Sequence, residues 1–138
     1  MENKIVEMTE TLPTVTEYLA LRQAAGLSAR DPEFVQRGLD NGIYGVFLRA
    51  EERLIGMGRI IGDGGTAFQI VDVAVHPEYQ GQGLGKKIMA ALQTYIEQEL
   101  PNKAYISLIA DGNAQFLYQQ FGFVATAPLS VGMFYKRA

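Results

Sequence analysis

Two periods of hydrophobic and polar residues divide this chain into elements. Apolar residues recur three or four positions apart in three segments, which predicts helices over residues 11–25, 31–39 and 84–99. Gly26 follows the first of these segments and Pro101 follows the third, and both residues are typical of helix C-termini.

Between residues 44 and 75 the period shortens to two. This alternation predicts strands over residues 44–50, 54–61 and 67–75, joined by turns too short to hold a helix. Strands with such short connections form an antiparallel meander. The third strand is apolar on both faces after Gln69, which favours a position covered on both sides of the sheet.

Two further strands flank this central region. One is short and is predicted at residues 5–8. The other is predicted at 104–110, where a helical crossover would make it parallel to the strand at 67–75.

The last quarter of the chain predicts one helix and two closing strands. Asn113 is a suitable N-terminal cap and Gly122 a suitable C-terminal stop for a helix over residues 113–121. The closing strands are expected at 123–126 and 131–136. The predicted order, β-α-α-β-β-β-α-β-α-β-β, is that of an α/β protein (an α+β mixed sheet) with helices on both faces.

Length and composition restrict the class of protein. The 138 residues suit a single domain spanning 1–138, and 48% hydrophobic with 20% charged residues is typical of a globular protein. No apolar run approaches the roughly 20 residues of a membrane span, and the N-terminal residues lack the apolar core of a signal peptide. We therefore expect a cytoplasmic protein with no membrane partner.

Charge and cysteine content exclude further classes. The formal net charge of −3 argues against general nucleic-acid binding. With no cysteine and one histidine, the chain has neither a disulfide nor a thiol nucleophile, and we expect no metal site.

The most informative segment is a glycine-rich turn between the strand at 67–75 and the helix at 84–99. Gly81, Gly83 and Gly85 let backbone N–H groups converge, and the helix N-terminus adds a partial positive charge, a combination that binds phosphate. A Walker A loop is excluded because Gln80 stands where its first glycine belongs. A dinucleotide fingerprint is excluded because Lys86 stands where its third glycine belongs.

The pattern that remains, Gln80-x-x-Gly83-x-Gly85, resembles the acyl-CoA loop of the GNAT N-acetyltransferase superfamily. The segment at 113–123 is similar to a second motif of that family, Asn-x-x-Ala/Ser-x-x-Phe/Leu-Tyr-x-x-x-Gly-Phe, with Ala114 and Phe116 offset from its commonest form. The predicted order of elements also matches the GNAT fold over essentially the whole chain. The resemblance implies two central strands that splay apart to admit the pantetheine arm of acetyl-CoA, which would be the co-substrate.

The resemblance also implies roles for individual residues. The backbone of the strand end would pair with pantetheine, and the main-chain N–H groups of the loop would lead to the pyrophosphate. The residues expected to contact the cofactor are Val73, Ala74, Val75, Gln80, Gly81, Gln82, Gly83, Leu84, Gly85, Lys86, Asn113, Phe116 and Tyr118.

Acyl transfer needs a group for the developing oxyanion, a general acid and a general base. We expect the Val73 backbone N–H to meet the thioester carbonyl and Tyr118 to protonate the leaving thiolate. Some relatives carry a glutamate base on the central strand, but Gln69 occupies that position here and cannot titrate. Asp72 is a tentative base whose alternative role is structural, at a strand bulge; His76 and a water chain are the other candidates.

The acceptor site is expected opposite the cofactor, between the first two helices and the early hairpin. Tentative acceptor residues, by location only, are Arg22, Tyr44, Arg59 and Asp63. The acidic net charge weakly favours a small cationic amine. The predicted function is acetyl-CoA-dependent N-acetylation of a small primary amine by direct attack in a ternary complex, since no cysteine can carry the acyl group.

Two alternatives remain open from the sequence. One is a non-catalytic acyl-CoA-binding or sensing module, and the other is a protein or peptide N-acetyltransferase. The run Met133-Phe134-Tyr135 is compatible with a homodimer formed through the last strands, as the resemblance also implies.

Overall fold

The structure is a computed structural model, and it describes residues 5–137. A five-stranded mixed sheet runs in the order β1-β2-β3-β4-β5. Neighbouring strands are antiparallel except β4 and β5, which are parallel as predicted. The strands are β1 (Glu7–Thr9), β2 (Tyr44–Ala50), β3 (Arg53–Gly62), β4 (Ala67–Val75) and β5 (Tyr105–Leu108).

Among residues 5–137, four α-helices accompany the sheet: α1 (Val15–Ala24), α2 (Pro32–Asp40), α3 (Leu84–Glu99) and α4 (Gln115–Gln119). Helix α1 begins later than predicted because Thr14 and Glu17 form a reciprocal cap, each side chain accepting from the other residue's backbone N–H. Helix α3 has the predicted bounds.

The two faces of the sheet carry separate apolar clusters. Helix α3 covers one face, where Ile88, Met89 and Leu92 are fully buried. Helices α1 and α2 cover the other face, where Phe47 and Met57 are fully buried. The mixed α/β fold with helices on both faces is therefore confirmed.

The end of the chain differs from the prediction. Neither closing strand, 123–126 or 131–136, is formed, because these segments make no ladder with another strand in the described residues. The predicted helix at 113–121 is shorter, beginning at Gln115 after a single 3-10 turn. Asn113 lies inside that turn and its side chain caps nothing.

Two boundary predictions are also corrected. Strand β5 is shorter than the predicted 104–110, and β1 begins at Glu7 rather than residue 5. Within residues 5–137, no helix has both the length and the apolar character that crossing a membrane would require.

Candidate active site

A bulge in β4 organises the site. The register between β3 and β4 shifts between Met57 and Arg59, and Asp72 has a left-handed backbone with φ of +60°. Val71 and Asp72 both line a cavity on the α1/α2 side, whereas Val73 packs against the cluster under α3. The bulge therefore places two consecutive side chains on one face of the sheet.

Strands β4 and β5 part immediately before the bulge. Their pairing runs from Ala67 opposite Tyr105 to Ile70 opposite Leu108, while β4 continues unpaired on that side to Val75. A space of about 850 Å³ opens there, and its lining includes Val73, Leu108 and Tyr118. The expected splay of the two parallel strands is present.

The backbone of the β4 end is divided between β3 and this opening. The His76 N–H donates to the Ile55 carbonyl across the antiparallel ladder, at 2.7 Å. Since bonded and non-bonded pairs alternate along such a ladder, Ala74 also bonds to β3, through its partner Met57. The Val75 N–H consequently points away from β3, whereas the Ala74 main chain is already paired.

The glycine-rich loop forms a cradle beside this strand end. Gly81 and Gly83 have φ of +81° and +78°, which side chains rarely adopt, and a Cβ at either would meet open space. Gly83 is the N-terminal cap of α3 and supplies no capping side chain, so the first-turn N–H groups are free of side-chain caps. The adjoining cavity of about 280 Å³ is lined by both glycines, Gly85 and Val75 among others.

Other loop residues have structural or peripheral positions. The Gln80 side-chain amide donates to the Val75 carbonyl at 2.9 Å and so fastens the loop to β4. Its backbone N–H donates to the Pro77 carbonyl, at 3.4 Å. Leu84 is buried at the cavity wall, while Gln82 and Lys86 are exposed beside it.

Tyr118 lies where the loop cavity meets the strand opening, and it lines both. The side chain is half-buried. Burial raises the pKa of its phenol, and the nearby charge of Asp111 raises that pKa further. The phenol is therefore held in its protonated form at neutral pH.

Two hydrogen-bond donors and a neighbouring cation enclose Asp72. The Tyr18 hydroxyl donates to its Oδ2 at 2.6 Å, Arg22 donates to its Oδ1, and the Arg59 Nε lies 3.4 Å from Oδ2. The Asp72 side chain is only 6% exposed. Because both oxygens are occupied and two guanidinium groups stabilise the charge, this geometry favours the structural role over the tentative role as a base.

Arg22 and Tyr18 are fixed by the same cluster. Arg22 also donates to the Ser28 carbonyl at 2.8 Å, so it braces the turn after α1 rather than presenting a free group to an acceptor. Burial raises the pKa of Tyr18, and its hydrogen bond to Asp72 raises it further.

Several predicted site residues lie elsewhere. Tyr44 stacks on Tyr95 with ring centroids 4.1 Å apart, and the Asp63 carboxylate accepts the N–H groups that close the turn before β4. The Thr66 hydroxyl, which also donates to Asp63, and these N–H groups lower the pKa of that carboxyl group. Asn113 and Phe116 are exposed and line neither the loop cavity nor the strand opening.

His76, the other side-chain base candidate, and Gln69, which occupies the position of the glutamate base of some relatives, lie in different places. The His76 ring contacts Arg53 at 2.7 Å and accepts the Glu78 N–H, outside the cavities. Gln69 lines the strand opening, as its expected position implied. In the part of the chain from 5 to 137, no group of three or more metal-ligating side chains is found.

A second cavity, of about 340 Å³, lies between α1, α2 and the bulge. Its lining includes Tyr18, Arg30, Phe34, Arg59 and Asp72. Sequence reasoning missed Tyr18, Arg30 and Phe34 here, as well as Asp111 in the strand opening. The spacing of Tyr18 and Arg22, four residues apart on one helix, is the signal that pairs them on Asp72.

Comparison with known proteins identifies the family. Residues 16–132 match the model of the acetyltransferase (GNAT) domain. A crystal structure from methicillin-resistant Staphylococcus aureus, described as a "probable acetyltransferase" of unknown function, is 48% identical, with a TM-score of 0.91 over 96% of this chain and 100% of that chain. The aminoglycoside N-acetyltransferase AAC(6')-Iy, solved in complex with CoA, shares the fold at 14% identity, with a TM-score of 0.69 over 99% of this chain and 97% of that one.

Curated relatives agree with this assignment. GCN5-related N-acetyltransferase 2, chloroplastic, from Arabidopsis thaliana is 42% identical over 86 residues, which are 62% of this chain. An N-acetyltransferase ycf52-like protein from Prochlorococcus marinus is 37% identical over 108 residues, 74% of this chain. The matches cover 32% and 58% of those two relatives. The chain belongs to the GNAT acetyltransferase family.

Proposed function

We propose that this chain is an acetyl-CoA-dependent N-acetyltransferase that acetylates a small primary amine by direct attack in a ternary complex. The observation that carries the proposal is the alignment of three spaces across the sheet. The loop cavity and the strand opening share Val73 and Tyr118, and the strand opening and the α1/α2 cavity share Val71, Asp72 and Arg30. Donor, reacting atoms and acceptor can thus lie in sequence.

On the donor side, the chain's backbone provides the binding groups. The N–H groups from Gly81 to Lys86 would hold the pyrophosphate, since they combine a left-handed glycine cradle with a helix N-terminus. The Val75 N–H, directed away from β3, would pair with the pantetheine arm. Because the Ala74 main chain is bonded to β3, we leave it out of this pairing.

The chemistry requires one bond to form and one to break. The neutral amine nitrogen bonds to the thioester carbonyl carbon, and the C–S bond then breaks to release CoA as a thiolate. Val73 precedes Ala74, so in the alternation of the strand its N–H would point away from β3, and it would stabilise the oxyanion. The protonated Tyr118 would donate its proton to the sulfur. The proton of the amine would leave through water in the strand opening, because Asp72 is held by its donors.

The alternatives are less well supported. A sensing module needs the loop but not a protonated phenol at the junction of the two spaces, where Tyr118 lies. A protein or peptide acceptor needs an extended groove, whereas the α1/α2 cavity of about 340 Å³ suits a small molecule.

Two measurements test the proposal. Calorimetry should detect CoA binding to the folded protein, and CoA release from acetyl-CoA should depend on an added primary amine. Binding without turnover for any amine would favour the sensing module. Absence of heat at millimolar CoA would remove the proposal altogether.

We further propose a homodimer formed through the C-terminal residues. Leu129, Val131, Met133, Phe134 and Tyr135 are each 70–97% exposed, an unusual concentration of uncovered apolar surface. Strand β5 is an edge of the sheet, so a second copy could pair with it and cover these residues. A cytoplasmic location stays a prediction.

A further inference from the structure

We infer that Arg59 binds a carboxylate of the acceptor, so that the acceptors are amines that also carry a carboxylate group. This inference rests on the proposed function, because it names the class of molecule that the α1/α2 cavity would take. It replaces the expectation of a purely cationic amine, which came from net charge alone.

The first observation is a buried cation that makes no hydrogen bond. Arg59 is only 7% exposed, and its Nε is buried without a hydrogen-bond partner. Within residues 5–137, no hydrogen bond involves any nitrogen of its guanidinium group; the nearest charge is Asp72 Oδ2, at 3.4 Å. A buried donor without a partner is costly, so the site favours a ligand that supplies an acceptor.

The second observation is the charge balance around that cation. The one carboxylate in the buried cluster, Asp72, is shared by Arg22 and Arg59 and also accepts from Tyr18. Two guanidinium groups against one carboxylate leave one positive charge. A small amine without an anionic group would enter against this charge, whereas a carboxylate would neutralise it.

The rim of the cavity does not reverse this balance. Arg30 and Asp31 line it with opposite charges, and the Asp31 carboxylate already accepts the Glu33 N–H as the cap of α2. Arg30 donates to Ser28 and Ala29 and has no carboxylate partner among the described residues. The buried excess at Arg59 is therefore the dominant charge that an acceptor meets.

The geometry also suits a carboxylate. A guanidinium presents a planar fork of donors that matches the two oxygens of a carboxylate. The cavity that Arg59 lines is otherwise apolar near Phe34, Val35 and Ile61, and it meets the strand opening at Val71 and Asp72. A carboxylate on Arg59 would thus anchor an acceptor whose amine extends toward the reaction centre.

Matched amine pairs test the inference on the unaltered protein. Ornithine and putrescine, histidine and histamine, and tyrosine and tyramine differ within each pair only by the carboxylate. In CoA-loaded protein, calorimetry should show tighter binding of a carboxylated member than of its partner, and kcat/KM should favour it by about 10- to 100-fold. Equal or better binding of the decarboxylated members in all three pairs would overturn the inference.

Substitutions test whether Arg59 causes the preference for carboxylated amines. Arg59→Lys keeps the charge beside Asp72 but removes the fork, and it should reduce the preference within a pair by about tenfold while CoA binding is unchanged. Arg53→Gln, at an exposed arginine outside the cavity, is the control and should leave the preference intact. CoA binding shows whether the Arg59→Lys variant is folded. If the folded variant prefers the carboxylated amines as strongly as the parent protein does, Arg59 does not bind the carboxylate of the acceptor.

The outcomes separate this inference from the proposed function. Turnover of amines without any carboxylate preference would overturn the role of Arg59 and leave the acetyltransferase in place. No turnover and no CoA binding would remove both. Carboxylate-dependent binding without turnover would support the Arg59 site and contradict catalysis.

Discussion

Asp72 is a residue whose environment determines its role. A lone carboxylate on the central strand could act as a base, but Tyr18 and Arg22 donate hydrogen bonds to this one, and Arg59 forms an ion pair with it. Its left-handed backbone places it beside Val71 on the same face of the sheet. It therefore joins α1 to the bulge and orients the guanidinium group of Arg59.

Asp72→Asn should lower the free energy of unfolding by about 3–5 kcal/mol, because it leaves two buried guanidinium groups without a counter-ion. Asparagine tolerates left-handed backbone, so the effect isolates the lost charge. Denaturant unfolding measures it. Asp40→Asn, on the exposed face of α2, should change stability by less than about 0.5 kcal/mol. A similar small change at Asp72 would contradict the role of the cluster.

Tyr118→Phe should lower kcat by about 10²- to 10⁴-fold with little change in CoA affinity, because it removes the proton donor and keeps the ring. CoA release and calorimetry measure the two quantities. Tyr135→Phe, at an exposed tyrosine, is the matched control. Equal turnover of the Tyr118 variant would exclude this residue as the acid.

The raised pKa of Tyr118 should be visible in the pH dependence of activity. Since burial and Asp111 raise its pKa, the active protonated form should persist above the ordinary phenol value of about 10. Asp111→Asn removes one of these causes, and the alkaline loss of activity should then begin at lower pH.

At the scale of elements, the packing of α3 on β3 depends on Gly58. A Cβ there would lie 2.5 Å from Ile88 Cγ2 and 3.1 Å from Leu92 Cδ1. Gly58→Ala should therefore lower stability by about 1–3 kcal/mol. Gly38→Ala, inside α2 where the added carbon meets no neighbouring element within 4 Å, should instead raise it by about 0.5–1 kcal/mol. Thermal and denaturant unfolding of the two variants test whether one substitution lowers stability and the other raises it.

A substitution in the loop between β4 and α3 should affect CoA binding. Gly83→Ala forces a side chain into left-handed backbone, at a cost of about 1–2 kcal/mol, and should misalign the N–H cradle. We expect CoA affinity to fall about tenfold or more, as measured by calorimetry. Gly64→Ala, with φ of +87° in the turn before β4, carries the same strain away from the cradle. If both variants weaken CoA binding equally, the loop is not the binding element.

At the scale of the whole molecule, the end of the chain is the part left uncovered. Residues after α4 form no strand. Phe121 and Phe123 pack against the core, whereas the apolar side chains from Leu129 to Tyr135 are largely exposed. The C-terminal segment lies beside β5, the last strand of the sheet, since Gly132 approaches Ile109, just beyond that strand. A second copy is the occupant that this arrangement favours.

Light scattering after size-exclusion chromatography should give twice the chain mass of 15.2 kDa. The double variant Met133→Glu and Phe134→Glu should shift the protein to the single-chain mass, because charges cannot be buried in the interface without partners. Met8→Glu, at an exposed apolar residue on β1, should leave the mass unchanged. A single-chain mass for the parent protein would contradict the dimer.

The sequence by itself determined the elements whose cause is local. The alternation from residue 44 to 75, the helical spacing from 84 to 99 and the glycine spacing at 81–85 each depend on neighbouring residues, and the structure has β2, β4 and α3 at the predicted bounds. The parallel pairing of β4 and β5 follows from a handedness rule that needs only the order of elements.

Only the tertiary structure decided which side chains meet. Asp72 contacts Tyr18 and Arg22, which lie 54 and 50 residues earlier in the chain, and no local pattern specifies these two partners. The closing strands predicted at 123–126 and 131–136 are not formed, because a strand needs a neighbouring strand to pair with and their sequence does not specify one. Local periodicity reports how a segment prefers to fold, whereas a site is made by contacts between distant segments.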